Sequence, residues 1–211
     1  MTEEVWTPQA VVLGAGNYPS HHIPLALMRE CPRVVCCDGA AQDYIQREGR
    51  LPWRIVGDGD SIPAALKAQC RDILFLEAEQ ETNDQTKAMR FLHQMGKRHI
   101  AIVGATGGRE DHTLGNISLL VEYARMGCCV HLYTDHGVFI PCRDTITLPS
   151  HPGQQLSIFS ITARGFRATG LRYPLYDFTN WWQGTLNECT ADQFTIHAQG
   201  EYILFLNYFI P

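Results

Sequence analysis

The sequence has no apolar run that approaches the length of a membrane span, and no run of Lys or Arg longer than two residues. A transmembrane helix needs about 20 predominantly apolar residues, so we expect no membrane association. Nucleic-acid binding needs clustered basic side chains, and a net charge of −5, from 17 basic and 22 acidic residues, gives no support for it. An anionic ligand would therefore depend on a local site.

The eight cysteines contain no C-x-x-C pair. The first residues, MTEEVWTPQA, lack the basic and apolar regions of a secretory signal peptide. Cys36-Cys37 and Cys128-Cys129 are adjacent pairs inside apolar runs. We therefore expect buried, reduced thiols in a cytoplasmic protein. A zinc site is the alternative, and these spacings do not favour it.

The first part of the chain alternates between short apolar runs and stretches with helical periodicity. The apolar runs are AVVLGAG, RVVCCDGA, WRIVGDGD, DILFL, HIAIVGATGG and CCVHLY. Apolar residues recur with a period of about 3.6 in Asp84–Met95 and in Thr113–Met126. This alternation predicts an α/β domain with a mainly parallel, Rossmann-like sheet over residues 1–135.

The pattern changes after about Asp135. Short alternating runs broken by Pro and Gly replace the helical periodicity. The segment DQFTIHAQGEYILFLNYF predicts two strands joined by a tight turn at Gln199-Gly200. Residues 136–211 are therefore expected to form an antiparallel β-sandwich. A unit of this size buries little apolar surface alone, so we expect it to pack on the α/β domain or on a second copy of the chain.

Gly or Asp follows several predicted strands. Open parallel sheets bind ligands beyond the carboxyl ends of their strands, which is where these residues lie. Gly14 and Gly16 follow VVL, Asp38 follows VVCC, and Asp58 and Asp60 follow IV. An ordinary polar turn explains any one of these positions. Their recurrence at several strand ends, including GATGGREDH after IAIV, indicates a ligand site.

Asp58-Gly59-Asp60 is a candidate metal site. In an extended segment, residues two apart point the same way, with Cα atoms about 7 Å apart. Like charges this close repel unless a cation lies between them. Mg²⁺ suits the pair, because it prefers one or two carboxylates with substrate phosphates and water. The alternative is a solvated Asp-Gly turn.

The stretch ETNDQTK begins the helix predicted from Asp84. Thr82 with Gln85 resembles a capping box, and Asn83 is an equally good cap. Capping does not explain Lys87. Because helix N-termini favour anions, a lysine in the first turn suits a bound phosphate.

GATGGREDHTLGN, residues 104–116, is the most specific stretch. A Gly-rich turn exposes N–H groups that can hold phosphate oxygens. Arg109 offers a planar fork of donors for a phosphate, and Asp111 would complete a metal or proton-handling site. The stretch is not a Walker A motif, because no GK[ST] follows.

Together these motifs resemble thiamine pyrophosphokinases. The matching stretches, in family order from Ala10 to the end of the chain, are VVCCDGAA, IVGDGDS, NDQTKA, GATGGREDHTLGN, GLRYPL and GTLNE. The resemblance implies an N-terminal α/β domain, a C-terminal β-sandwich and a homodimer with active sites between the subunits. It also implies Mg²⁺-dependent transfer of the pyrophosphoryl group of ATP to the hydroxyl of thiamine, giving thiamine diphosphate and AMP.

The motifs and the resemblance together assign roles to individual residues. The predicted metal ligands are Asp58, Asp60 and Asp84. The predicted catalytic residues are Asp60, Asp111 and Arg109, with Asp60 and Asp111 both open as the proton acceptor. The predicted contacts of ATP and its phosphates are Gly14, Asp38, Lys87, Gly107, Gly108, Arg109, His112 and Asn116. The predicted thiamine contacts are Leu186 and Asn187.

Two positions depart from the family pattern. Asn83 replaces a threonine, which is mild because both residues cap helices. Leu186 replaces a serine of the thiamine pocket, which leaves open a pyrophosphokinase for another heterocyclic alcohol, such as a pterin. If the preceding segment is a strand, at most one of Trp181 and Trp182 points at a given site. A non-catalytic nucleotide-binding regulator is the other alternative, although all four family carboxylates are present.

Overall fold

The computed structural model describes residues 6–208. The chain divides into two compact units, the second of which begins at His136. The first unit contains parallel strands and helices, and the second contains antiparallel strands. No helix in the described part of the chain is both long and apolar enough to cross a membrane.

Six strands of the first unit, counted over residues 6–135, lie in the order β6-β5-β1-β2-β3-β4, and every neighbouring pair is parallel. Their bounds are β1 Ala10–Leu13, β2 Val34–Cys37, β3 Arg54–Gly57, β4 Leu74–Leu76, β5 His99–Val103 and β6 Cys129–Tyr133. β1 and β2 are entirely buried, which explains why their sequences are continuously apolar. The predicted parallel α/β sheet is confirmed.

Helices connect these strands. Their bounds are α1 His22–Glu30, α2 Ala40–Glu48, α3 Ala64–Gln69, α4 Asp84–Gln94 and α5 Glu110–Arg125, with a short 3₁₀ helix at Arg71–Ile73. The strand order reverses between β1 and β5, because the chain moves from β1 toward β4 on one side and from β5 to β6 on the other. Open sheets of this kind bind ligands at such a switch point.

The starts of α4 and α5 show how local sequence sets helix boundaries. α4 begins at Asp84, as predicted, because the Asn83 side chain accepts a hydrogen bond from the Thr86 N–H at 2.9 Å. α5 begins at Glu110, earlier than the predicted Thr113. Its first turn is polar and acidic, which suits a helix N-terminus but carries no apolar periodicity.

The second unit consists of two antiparallel sheets. One has the order β11-β9-β13-β7 and the other has the order β10-β12-β8. The bounds are β7 Gly137–Arg143, β8 Ile146–Pro149, β9 Gln155–Ser160, β10 Arg164–Thr169, β11 Asn187–Glu188, β12 Gln193–Gln199 and β13 Glu201–Asn207. Both sheets contribute to one apolar core, which includes Ile158, Phe194, Ile196, Tyr202 and Leu204. The predicted β-sandwich is confirmed.

The predicted turn at Gln199-Gly200 is present, and its role is to change sheets. Gly200 has a φ of 105°, a conformation that glycine adopts without strain. β12 pairs with β10 and β8, whereas β13 pairs with β7 and β9. The turn therefore carries the chain from one sheet of the sandwich to the other.

Two local expectations were wrong. Trp181 and Trp182 lie in a 3₁₀ helix, Trp181–Gly184, rather than in a strand. Both side chains are exposed, by 52% and 71%. All eight cysteines are free, as expected, but Cys129 is exposed while the other seven are buried.

Phe194 offers a test of the second core. It is 1% exposed, so Phe194→Ala is expected to lower the free energy of unfolding by about 3–5 kcal/mol. The neighbouring exposed residue, Gln193, is the control, and Gln193→Ala should change the free energy of unfolding by less than about 0.5 kcal/mol. Denaturant unfolding of the two variants makes the comparison. Equal midpoints would contradict the assignment of Phe194 to the core.

Candidate active site

A cavity of about 720 Å³ lies at the switch point of the parallel sheet. Its walls come from the loops after β1, β3 and β5 and from the first turns of α4 and α5. The elements therefore bring together residues that are distant in the chain. The lining residues used below are Gly14, Asp58, Asp84, Lys87, Gly108, Arg109, His112 and Asn116.

The loops after β1 and β5 meet through backbone hydrogen bonds. The Gly16 N–H donates to the Gly104 carbonyl at 2.7 Å, and the Asn17 N–H donates to the Thr106 carbonyl at 2.8 Å. A Cβ atom on Gly16 would lie 2.8 Å from the Gly104 carbonyl oxygen and would overlap the Thr106 carbonyl oxygen. Glycine is therefore required here by the close approach of two backbones.

Gly107 has a different role from Gly108. Its φ is 83°, and a Cβ atom there would lie 2.5 Å from Asn17 Nδ2. Gly107 thus allows the β5 loop to pack against the β1 loop. It does not line the cavity, whereas Gly108 does.

The segment after β3 forms a turn, which was the alternative prediction, and is not extended. The strand ends at Gly57, and Gly59 has a φ of 85°. Asp58 Oδ1 accepts a hydrogen bond from the Asp60 N–H at 3.0 Å, and its Oδ2 accepts one from Gln80 Nε2 at 3.0 Å. These bonds, the Asp60 N–H first, lower the pKa of Asp58. Asp58 lines the cavity, and Asp60 is exposed outside it.

Lys87 places a buried positive charge at the cavity. Its side chain is 2% exposed, and its Nζ lies 3.4 Å from Asp84 Oδ1. The pKa of Asp84 is raised, first by burial; Lys87 opposes this shift, while Asp38 and Asp58 add to it. Asp84 thus interacts electrostatically with one ammonium group and two other carboxylates. A cationic group buried this deeply needs further anionic partners.

Asp38 lies behind the cavity wall rather than in it. It is 2% exposed and has a φ of 29°, which is rare for a residue other than glycine. Its Oδ2 accepts a hydrogen bond from the Ser61 N–H at 2.9 Å, which anchors the turn after β3. Its Oδ1 is buried and has no partner among residues 6–208. This oxygen is able to accept a further hydrogen bond.

Arg109 and Asp111 form a bidentate ion pair at the start of α5. Arg109 Nε and Nη2 donate to the two carboxylate oxygens at 3.1 and 2.6 Å. Both side chains are exposed, by 73% and 60%. The hydrogen bonds from Arg109 lower the pKa of Asp111. Arg109 and His112 line the cavity, and Asp111 does not.

Asn116 ties the walls together. Its Nδ2 donates to the Ala105 carbonyl at 2.8 Å, and its Oδ1 accepts from Asn83 Nδ2 at 2.9 Å. It therefore links the β5 loop to the N-terminus of α4. A phosphate bound by Asn116 would compete with these bonds, so the main contribution of Asn116 is to the shape of the site.

Several lining residues were missed by sequence reasoning. They are Cys37, Gln80, Glu81, Thr82, Asn83, Gln85 and Thr113. Burial raises the pKa of the Cys37 thiol, so it stays protonated. Gln85 and Thr86 are buried against Tyr123, with 2.8 Å between Thr86 Oγ1 and the Tyr123 hydroxyl. The stretch NDQTK could have indicated these contacts, because Gln85 and Thr86 are polar residues on a helix face that is buried, and buried polar side chains need hydrogen-bond partners.

The geometry defines a class of protein: an α/β unit with an oxygen-rich and cationic cavity at its switch point, followed by a β-sandwich. Two family models match the chain. The thiamin pyrophosphokinase catalytic domain matches residues 25–132, and the thiamin pyrophosphokinase substrate-binding domain matches residues 137–205. The chain belongs to the thiamin pyrophosphokinase family, and the predicted enzyme class is confirmed.

Individual relatives agree with this assignment. The chain is 26% identical over 162 residues to a thiamine pyrophosphokinase of Bacillus subtilis (strain 168), covering 73% of this chain and 74% of the relative. The crystal structure of thiamine pyrophosphokinase from Bacillus subtilis aligns with a TM-score of 0.77 at 19% identity, covering 95% of this chain and 100% of that one. Yeast thiamin pyrophosphokinase aligns with a TM-score of 0.75 at 18% identity, covering 96% of this chain and 87% of the yeast chain. At these identities the solved structures show a common fold.

Gly16 provides a test of the loop contact. Gly16→Ala is expected to lower the free energy of unfolding by about 1–3 kcal/mol, because the added methyl group must displace backbone atoms. Gly115 in α5 is the matched control, since a Cβ atom there meets nothing within 4 Å. Gly115→Ala should raise stability by about 0.5–1 kcal/mol. The same shift in both variants would show that the two loops do not meet as described.

Proposed function

We propose that this chain transfers the pyrophosphoryl group of ATP to the hydroxyl of thiamine, giving thiamine diphosphate and AMP. The observation that carries the proposal is the buried ammonium of Lys87, which faces a cavity at the start of α4 together with Asp84. The match to both domains of the family supports the reaction class. Buried positive charge beside a helix N-terminus suits the triphosphate of a nucleotide.

The phosphates of ATP would lie between Lys87 and Arg109. The N–H groups at the start of α4 and of the Gly108 loop supply further donors to a phosphate. Phosphoryl transfer depends mainly on positioning and on neutralising charge spread over the phosphate oxygens. Lys87 and Arg109 supply this charge from opposite walls, and Asn116 keeps the two walls together.

The acidic residues of the cavity suit Mg²⁺. Within residues 6–208, no group of three or more His, Cys, Asp or Glu side chains is placed to hold a metal ion alone. Mg²⁺ prefers one or two carboxylates completed by phosphates and water, and Asp58 and Asp84 supply such a pair. When bound, Mg²⁺ would neutralise charge on the phosphate oxygens. The unpartnered Oδ1 of Asp38 fits a water or ion near this pair.

Asp60 and Asp111 are the proposed candidates for proton acceptance, and their surroundings differ. Asp111 is held by Arg109, which lowers its pKa and makes it a weaker base. We therefore propose that Asp111 orients Arg109. Asp60 has no ion pair within the described range, and we propose it as the proton acceptor. It would reach the cavity, as base or metal ligand, only after a rearrangement of the turn at Gly59.

In the proposed thiamine-binding segment, Asn187 and Leu186 have different roles. Asn187 is buried; its Oδ1 accepts from the Tyr173 and Glu188 N–H groups at 3.1 and 2.8 Å, and its Nδ2 donates to the Tyr173 carbonyl at 2.9 Å. These bonds occupy the side chain. We propose that Asn187 fixes the segment while Leu186, 68% exposed, presents an apolar surface to the substrate ring.

We propose a homodimer in the cytoplasm. One face of the sheet β11-β9-β13-β7 carries Phe139, Phe159 and Phe205, with 4.4 Å between the ring centroids of Phe139 and Phe205. Trp181 adds an exposed ring at 6.1 Å from Phe159. Each is only partly buried, so a second copy of the chain would cover apolar surface. Eight free cysteines suit a reducing compartment.

Product analysis tests the reaction. Protein mixed with ATP, Mg²⁺ and thiamine is expected to release AMP and thiamine diphosphate in equal amounts, measured by chromatography and mass spectrometry. Omitting thiamine should abolish the release of AMP. The appearance of ADP with a singly phosphorylated product, or reaction with a pterin alcohol but not with thiamine, would contradict the proposal.

Substitutions of the acidic pair test the metal site. Asp58→Asn and Asp84→Asn are each expected to lower kcat by at least about 100-fold, or about 2.7 kcal/mol of transition-state stabilisation. They should also raise the Mg²⁺ concentration needed for half-maximal rate. Asp72 is an exposed control outside the cavity, and Asp72→Asn should leave both quantities unchanged. Wild-type rates in the Asp58 and Asp84 variants would exclude them as ligands.

A further inference from the structure

A second cavity, of about 550 Å³, lies on the sheet β10-β12-β8. Its lining belongs entirely to the second unit and contains no acidic residue; it consists of Thr145, Arg164, Gly165, Arg167, His197, Ala198 and Gln199. Along β12, Phe194 and Ile196 are buried, whereas Thr195 and His197 face outward. The cavity is therefore on the outer face of the sandwich, and Ala198 is the one lining residue that also belongs to the apolar core.

A β-bulge brings the two arginines of this cavity together. Arg164 pairs with Gln199 and Arg167 pairs with His197, so three steps along β10 oppose two steps along β12. In a regular strand, residues three apart face opposite sides of the sheet. The extra residue cancels this alternation, so both guanidinium groups emerge on the outer face. Bulges often redirect side chains in this way near functional sites.

The bulge is held by a side chain outside the strand. Asp177 Oδ1 accepts hydrogen bonds from the Gly165 and Phe166 N–H groups at 2.6 and 3.1 Å. Gly165 has a φ of 72°, which favours glycine at this position. These bonds fix the backbone from which the Arg164 and Arg167 side chains extend before any ligand binds. Preorganisation of this kind lowers the entropy cost of binding.

The basic side chains of this cavity have hydrogen-bond donors that no other described residue uses. The side chains of Arg167 and His197 make no hydrogen bond or ion pair among residues 6–208, and that of Arg164 donates one hydrogen bond, to the Ala163 carbonyl at 2.9 Å. The nearby carboxylate of Asp144 accepts from the Gly200 N–H and lies 3.8 Å from Arg143. A guanidinium directly opposite an imidazole gains no attraction from its cross-strand neighbour. An anion between them would supply it.

We infer that this cavity binds a soluble small molecule through a phosphate group. Two guanidinium forks and an imidazole match the geometry and charge of a phosphate. The Thr145 hydroxyl and the Gln199 amide add neutral donors at the rim. The site is separate from the ATP cavity, whose lining residues all lie between Gly14 and Asn116. A nucleic acid would need a longer basic stripe than two arginines provide.

Calorimetric titration with inorganic pyrophosphate, in the absence of Mg²⁺, tests the inference on the full chain. The wild-type protein is expected to bind two pyrophosphate ions per chain, one in each cavity. The double variant Arg164→Gln/Arg167→Gln should bind one. The control Arg71→Gln/Arg125→Gln removes two exposed arginines of the first unit and should still bind two. Retention of both ions in the Arg164/Arg167 variant would overturn the inference.

Additional measurements separate the possible outcomes. Arg167→Gln alone should weaken the second site at least about tenfold, and it provides a test if the double variant does not fold. If the ATP assignment is wrong and this one is right, the wild type binds one ion and the Arg164/Arg167 variant binds none. A lipid headgroup carries the same phosphate chemistry. Sedimentation with phosphatidylglycerol vesicles, without pyrophosphate binding, would overturn the assignment of a soluble ligand.

Discussion

The buried ammonium of Lys87 is the constraint on which the candidate active site depends. It has one carboxylate at 3.4 Å and is almost completely removed from water. Such a charge is costly unless several oxygens surround it. Asp84 and, more weakly, Asp58 interact electrostatically with this ammonium group, yet burial still raises the pKa of Asp84. The nucleotide and cation proposed to bind here would bring charges of both signs to these residues.

The loops around Lys87 serve this arrangement through backbone geometry. The β1 and β5 loops contact one another through glycines and backbone hydrogen bonds, and together they form one wall at the switch point. Asn116 joins this wall to the start of α4, and the Tyr123 hydroxyl of α5 forms a hydrogen bond with Thr86 of α4. A buried network of this kind orders the first turn of the helix. The position of Lys87 therefore follows from contacts far from its own side chain.

Much of the fold could be predicted from local sequence. Continuous apolar runs predicted the parallel strands, and the Asn83 cap set the start of α4. Sequence reasoning could not choose between a turn at Gly59 and an extended segment, because periodicity does not report φ. The turn is present, and the extended interpretation of Asp58 and Asp60 was wrong. The division of β12 and β13 between sheets was also hidden, since both strands alternate in the same way whichever partner they pair with.

The sequence could predict many of the residues near the site, but not which of their side chains line the cavity. Motif residues such as Asp84 and Arg109 do line the cavity, but Asp60 and Asp111 do not. Short-range hydrogen bonds decided the difference: Asp58 accepts from the Asp60 N–H, and Asp111 folds back on Arg109. The bulge that aligns Arg164 with Arg167 was invisible for a similar reason, because it depends on the distant carboxylate of Asp177.

Leu186 has a backbone conformation that bears on how the protein can evolve. Its φ is 60°, in the left-handed region, which costs a residue with a Cβ atom roughly 1–2 kcal/mol. Its side chain is exposed and recovers little of this through packing. Selection for stability alone would therefore replace Leu186 with glycine or asparagine. If Leu186 contacts the substrate ring as proposed, folding and substrate recognition favour different residues at this position, and a variant stabilised by glycine there would lose that apolar contact.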